Sequence, residues 1–204
     1  MKKMLLVSML QNVTGILKKV EPELKNKTVT YIPTASKAEK LGFFVKIGKW
    51  TLRRLGLTVD ELDIYSASYE TAKSKLEKND IIYVAGGNTF YLLQELKRTG
   101  TDKLLADEIN KGKLYIGESA GAILTAPDIG YSAEMDNVGK APDLKDYSGL
   151  NVVDFYVVPH YKNWEMGKAA QIIIDKYSES LDLKVINDKQ AIFIDNDKVK
   201  ILDK

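Results

Sequence analysis

The residues Gly117-Glu118-Ser119-Ala120-Gly121 follow the apolar run Leu114-Tyr115-Ile116 and open a segment with helical potential. A serine with a glycine two positions to either side, on a strand-to-helix turn, has the spacing of a nucleophile elbow. The glycines let strand and helix pack closely, and the hydroxyl projects from the carboxyl edge of a sheet. The N–H of Ala120, close to a helix N-terminus, then points at an oxyanion formed on a bound carbonyl. The competing reading of the same pentapeptide is a phosphate-binding or incidental βα turn. A second glycine turn, Val84-Ala85-Gly86-Gly87-Asn88-Thr89, has the same strand-before, helix-after setting. It offers Gly87 N–H as a second oxyanion donor, with Asn88 or Thr89 as a helix N-cap.

A serine nucleophile needs a base. His160, in Tyr156-Val157-Val158-Pro159-His160-Tyr161, is the sole histidine of the chain. No other side chain is an ordinary base at neutral pH, so a reactive Ser119 makes His160 its partner. Its place just past an apolar strand is where open α/β sheets put their sites. The orienting carboxylate is left open by spacing: Asp188 follows a late strand, while Glu134 and Asp136 lie in a long loop before the histidine. Glu118, next to the serine, either tunes the site by its charge or faces solvent.

The elements that must position these groups are legible as apolar runs alternating with amphipathic stretches, the pattern of βαβ units around a parallel sheet. Strands are expected at 4–10, 28–32, 57–64, 81–84, 114–116 and 152–158. A late group at 184–186, 191–194 and 199–202 reads as an antiparallel appendage or sheet edge. Helices are expected at 37–55, with Leu41, Phe44, Val45, Gly48 and Leu52 near one face, and at 69–78, 89–98, 103–110 and 164–178. The stretch 126–149, with two prolines, three glycines and five acidic residues, reads as a functional loop. Repeats, low-complexity tracts and linker-like segments are absent from the sequence, so residues 1–204 are expected to form a single α/β domain.

Composition narrows the function. Thirty basic against 28 acidic residues leave a net charge of +2, which gives no reason to expect a nucleic-acid partner. The absence of cysteine excludes disulfides, thiolate metal sites and a cysteine nucleophile. The apolar start is too short for a membrane span and lacks a cleavage pattern, so no membrane partner is expected and the cytoplasm is the default location. One histidine with scattered acids does not build a catalytic zinc shell, and neither metal nor cofactor is called for.

Taken together, Gly86-Gly87-Asn88-Thr89-Phe90 with Leu92-Leu93, Gly117-x-Ser119-Ala120-Gly121-Ala122 and Pro159-His160 resemble the peptidase S51 family, which includes aspartyl dipeptidases and, more distantly, cyanophycinase. The resemblance covers most of the chain. It implies a three-layer sandwich with a mainly parallel central sheet, flavodoxin-like and akin to class I glutamine amidotransferases. It implies Ser119 as nucleophile, His160 as base, and Gly87 with Ala120 as oxyanion hole. The family's acidic third member falls on Asp188, and a further acidic residue of the loop after the nucleophile falls near Glu134. Asn88 and Glu134 are the residues expected to contact substrate. One departure stands out. The family's aspartyl dipeptidases carry an arginine-containing segment after the histidine, whereas this chain has no arginine beyond Arg98 and a short segment at 162–168. Lysine there, at Lys162 or Lys168, is no equivalent of a bidentate guanidinium.

The expected activity is therefore hydrolysis of short peptides by a Ser-His-acid triad, without strict demand for an N-terminal aspartate, in a monomer or homodimer. The alternatives are a catalytically weak member that binds a small ligand, and an α/β-hydrolase esterase with Asp136 as its acid.

Overall fold

The computed structural model describes residues 2–39 and 42–204, with side chains for all of these but 42–44. Its centre is a seven-stranded sheet built from β1 (Lys3–Val7), β2 (Thr28–Ile32), β3 (Thr58–Glu61), β4 (Ile81–Val84), β5 (Leu114–Glu118), β8 (Gln190–Asp195) and β9 (Lys198–Asp203), in the order β3-β2-β4-β5-β1-β8-β9. The first five run parallel; β8 is antiparallel to β1, and β9 to β8.

The inner strands are apolar throughout because both faces are covered. Along β1, Met4 and Leu6 join one core cluster while Leu5 and Val7 join the other, the period of two that sends successive side chains to opposite faces. One layer holds α3 (Tyr69–Lys78), α4 (Thr89–Thr99), α5 (Thr101–Asn110), α6 (Ala120–Ile123) and α7 (Gly167–Tyr177); the other holds α1 (Thr14–Val20) and α2 (Gly42–Arg54). Strand β3 at the margin is largely uncovered, and its Asp60 and Glu61 face lysines rather than apolar side chains. The expected three-layer α/β sandwich is what forms. Among the described residues no helix is long and apolar enough to cross a membrane.

Several expectations for the elements need correction. The strand expected at 4–10 stops at Val7, and the one expected at 184–186 leaves the antiparallel edge for a separate two-stranded sheet, in which it runs parallel to its partner. The run 152–158 gives only β6 (Tyr156–Val158), because Val152 N–H is spent on Thr125 O. Strand β6 does not join the large sheet: it pairs in parallel with β7 (Leu183–Val185), with Val158 opposite Val185. The run 57–64 is cut to β3 because Asp63 turns the chain, accepting the N–H groups of Ser66 and Ala67 at its carbonyl. The helix expected from 37 begins at Gly42 after a tight turn at Thr34–Ala38, and Leu41 lies outside the described residues.

The turn after β5 relies on absent side chains. A β-carbon on Gly121 would stand 2.4 Å from Val84 O, and one on Gly117 would stand 2.5 Å from Gly121 O. Both obstacles are backbone, which cannot rotate aside. Gly121→Ala is therefore expected to lose on the order of 2 kcal/mol, or roughly 4–8 °C in Tm for a chain of this length. A thermal melt reads it directly, and an unchanged Tm would contradict the close packing of α6 on β4.

Candidate active site

Ser119 sits between β5 and α6 at φ 51° and ψ −108°, a backbone region that costs a non-glycine residue strain. The surroundings impose it. Ser119 N–H donates to Val7 O at 2.9 Å, and its carbonyl accepts from Ala122 and Ile123 N–H at 2.8 and 3.0 Å. Opposite, the Cα of Gly86 comes so near that an added β-carbon would lie 3.2 Å from Ser119 Cβ. The hydroxyl is thus held above the carboxyl ends of β4 and β5.

His160 and Asp188 arrive from the other sheet. The register that sets Val158 against Val185 continues through Ile186 N–H to Val158 O and Tyr161 N–H to Ile186 O. Chain segments just past the two strand ends are thereby brought side by side. His160 Nδ1 lies 3.1 Å from Asp188 Oδ1, and His160 Nε2 lies 2.9 Å from Ser119 Oγ. The imidazole hydrogen bond holds the Asp188 carboxyl below its ordinary pKa, and the Asn163 amide, donating to Oδ2 at 2.6 Å, adds to the effect. His160 itself has φ 63°, a second strained backbone in the same cluster. Its N–H donates to Ser8 Oγ at 2.9 Å, and Ser8 lies at the end of β1 with 1% exposure. Ser8 therefore fastens the small sheet to the large one.

Gly87 adopts φ 140°, and a β-carbon there would stand 2.3 Å from the carbonyl of Ala35. Its N–H and that of Ala120 meet no backbone or side-chain acceptor among the described residues. Gly87 lines the cavity in front of Ser119, whereas Ala120 is buried behind it, with its N–H at the start of α6.

The remaining candidates are placed differently from expectation. Asp136 does not reach the imidazole. Its Oδ2 accepts from Thr89 N–H at 3.0 Å and from Thr89 Oγ1, which ties the loop to the start of α4 and removes the acid that an esterase order requires. Glu134 is turned outward, 3.5 Å from Lys176, and does not line the cavity. Asn88 is fully buried with both ends of its amide engaged, Oδ1 capping α4 through Tyr91 N–H and Nδ2 donating to Asn137 O. It does not border the cavity. Glu118 does not face solvent as a free charge. Its Oε2 accepts from Tyr83 OH at 2.5 Å and from Leu10 N–H at 2.9 Å, while burial raises its carboxyl above the ordinary value. Lys162 lies 5.2 Å from the Tyr161 ring centre, and neither it nor Lys168 borders the cavity.

The cavity measures about 610 Å³, within the range of small-molecule sites. Ser119, His160 and Gly87 share it with Tyr31, Met135 and Trp164. Ser8 and Asn163 were not foreseen from sequence. The only signal for either was position: a hydroxyl at the end of an apolar strand, and an amide three residues past the histidine.

Fold and site together place the chain in a known class. The model of the family described as Peptidase family S51 matches residues 4–202. The chain belongs to that family. It is 48% identical over 197 residues to an uncharacterized peptidase of Pasteurella multocida, covering 97% of this chain and 95% of the relative. An uncharacterized peptidase of Listeria monocytogenes is 50% identical over 194 residues, with 95% of each chain covered. A peptidase E of Salmonella arizonae is 32% identical over 137 residues, 67% of this chain and 56% of that one. Among solved structures, that of a candidate peptidase E protein from Listeria monocytogenes superposes with a TM-score of 0.96 at 48% identity, over 100% of this chain and 99% of the other. A peptidase from an acI-B1 actinobacterium shares the fold, with a TM-score of 0.72 at 19% identity over 100% of this chain and 88% of that one.

Burial pushes the Asp136 carboxyl above its ordinary pKa, against the two Thr89 donors, and the negative charge of Glu39 pushes the same way. The folded chain then keeps a proton that the unfolded chain has released, so stability falls as pH rises from about 4 through the folded-state value. Asn at this position still accepts from Thr89 and cannot ionise. Asp136→Asn is therefore expected to match wild type at roughly pH 3.5 and to exceed it at about pH 7 in urea unfolding. The same deficit at both pH values would contradict the assignment.

Proposed function

We propose that this member of peptidase family S51 is a serine-type peptidase of short peptides, with Ser119 as nucleophile and His160 as base. The observation that carries the reading is the unbroken chain Ser119 Oγ to His160 Nε2 to Asp188, at 2.9 and 3.1 Å.

In this scheme His160 accepts the Ser119 proton as Oγ attacks the peptide carbonyl. The developing oxyanion is met by the N–H groups of Gly87 and Ala120, which carry no other bond to break first. His160 then gives its proton to the leaving amine, and water repeats the sequence on the acyl-enzyme. Asp188 accepts from Nδ1, fixing the tautomer in which Nε2 is free to take a proton, and it stabilises the imidazolium formed after attack. Asn163 keeps Asp188 from rotating away. The cavity suits a dipeptide-sized substrate, and with no arginine beyond Arg98 a bidentate clamp for an N-terminal aspartate is missing from this region.

A fluorophosphonate probe followed by peptide mapping tests the assignment of Ser119. A single adduct on Ser119 is expected, abolished in Ser119→Ala. In a dipeptide assay, Ser119→Ala and His160→Ala should each lower kcat/KM by about a thousandfold or more, and the double variant by little beyond that. Additive losses, or hydrolysis surviving Ser119→Ala, would sink the scheme.

A further inference from the structure

The cavity in front of Ser119 carries a marked charge imbalance. Glu39, Glu118, Asp136 and Glu165 all line it, and among the described residues no lysine or arginine does. Of the lysines in neighbouring segments, Lys37 pairs with Asp63, Lys49 with Glu61 and Lys176 with Glu134. No ion pair among the described residues neutralises these four groups, although burial raises the carboxyls of Glu118 and Asp136 above their ordinary values. Glu118 uses Oε2 for Tyr83 and Leu10, while Oε1 has no hydrogen-bond donor and lies 3.8 Å from where a Gly86 β-carbon would be, beside the reacting hydroxyl. Asp136 uses Oδ2 for Thr89, leaving Oδ1 without a donor, and it feels the like charge of Glu39.

The charge count points to the occupant. A short peptide brings one positive charge in its α-ammonium group, which a single carboxylate can hold, and one negative charge at its far end, common to all such peptides and so without influence on the choice of first residue. Three further carboxylates around the same volume would repel an acidic side chain and favour a second cation. The apolar part of the wall, with Met9, Tyr31, Val45 and Trp164, suits the methylene stem of a long basic side chain. We propose that the cavity selects peptides whose first residue carries a positively charged side chain, with Asp136 and Glu39 as the selecting pair. The proposal rests on the serine-peptidase reading for where the peptide lies, but its test does not need turnover.

Calorimetric titration of the Ser119→Ala protein with lysyl-alanine, alanyl-alanine and aspartyl-alanine measures the preference without chemistry. Lysyl-alanine is expected to bind at least about tenfold tighter than alanyl-alanine, the value of one charge-assisted hydrogen bond in a sheltered site, and aspartyl-alanine more weakly still. Asp136→Asn keeps the Thr89 hydrogen bonds and Glu39→Gln changes a cavity-lining side chain alone. Combined, they should bring the lysyl and alanyl peptides within about threefold of each other and flatten the salt dependence. Equal or tighter binding of aspartyl-alanine overturns the proposal, as does a lysyl preference that survives both substitutions. Fluorophosphonate labelling of the wild-type chain, run alongside, separates the two failures. Absence of the Ser119 adduct counts against the hydrolase reading, whereas a normal adduct with the wrong peptide ranking counts against the charge selection alone.

Discussion

One buried hydroxyl joins two separately hydrogen-bonded sheets. Ser8 follows β1, in the middle of the large sheet, and its Oγ receives the backbone N–H of His160, which lies just past β6 of the β6–β7 pair. The Ser119 turn is fixed by the large sheet through Val7 O. Two successive residues, Val7 at the end of β1 and Ser8 just past it, therefore hold both halves of the candidate triad, one through a carbonyl and the other through a side chain. A backbone amide with no partner in so covered a place would cost about 1–3 kcal/mol, so the joint is thermodynamically enforced as well as geometric.

Strain gathers at the same spot. Ser119 and His160 both hold positive φ, and Gly87 adopts a backbone angle that only glycine takes readily. The neighbouring glycines supply the space, since carbonyl groups of Val84, Ala35 and Gly121 occupy the positions where β-carbons would be. The strained angles thus follow from close approach of β4, β5 and the segment after β2, each delivering a main-chain group to the edge of one cavity.

Much of this was legible in the sequence, and the reasons are local. The turn 117–121 announces itself because glycine is demanded two residues to either side of the serine, and the apolar runs of β1, β2, β4 and β5 are continuous because both faces are buried. Asp188 was one of three open choices by spacing and became the favoured one through family resemblance. What singles it out physically is the β6–β7 register, which pairs positions 27 residues apart and has no signature in either segment. Glu134 and Asn88 were expected at the substrate, yet the first is drawn outward by Lys176 and the second is consumed as a helix cap. In each case hydrogen bonds or ion pairs to particular local or distant partners decide the orientation, and residue type does not reveal them. That Asp136 and Glu39 line one cavity was invisible for the same reason, since they are 97 positions apart in the chain.

The separateness of the two-stranded pair has a mechanical consequence. His160 and Asp188 follow the two strands of one ladder and are cross-braced by Asn163, so the imidazole and its carboxylate are positioned by the same two-stranded sheet. The 3.1 Å contact between them lies within that ladder, whereas the 2.9 Å contact to the hydroxyl of Ser119 crosses from the small sheet to the large one, beside the Ser8 joint. The orientation of the imidazole is thus set inside one sheet, and its distance to the hydroxyl is set between two.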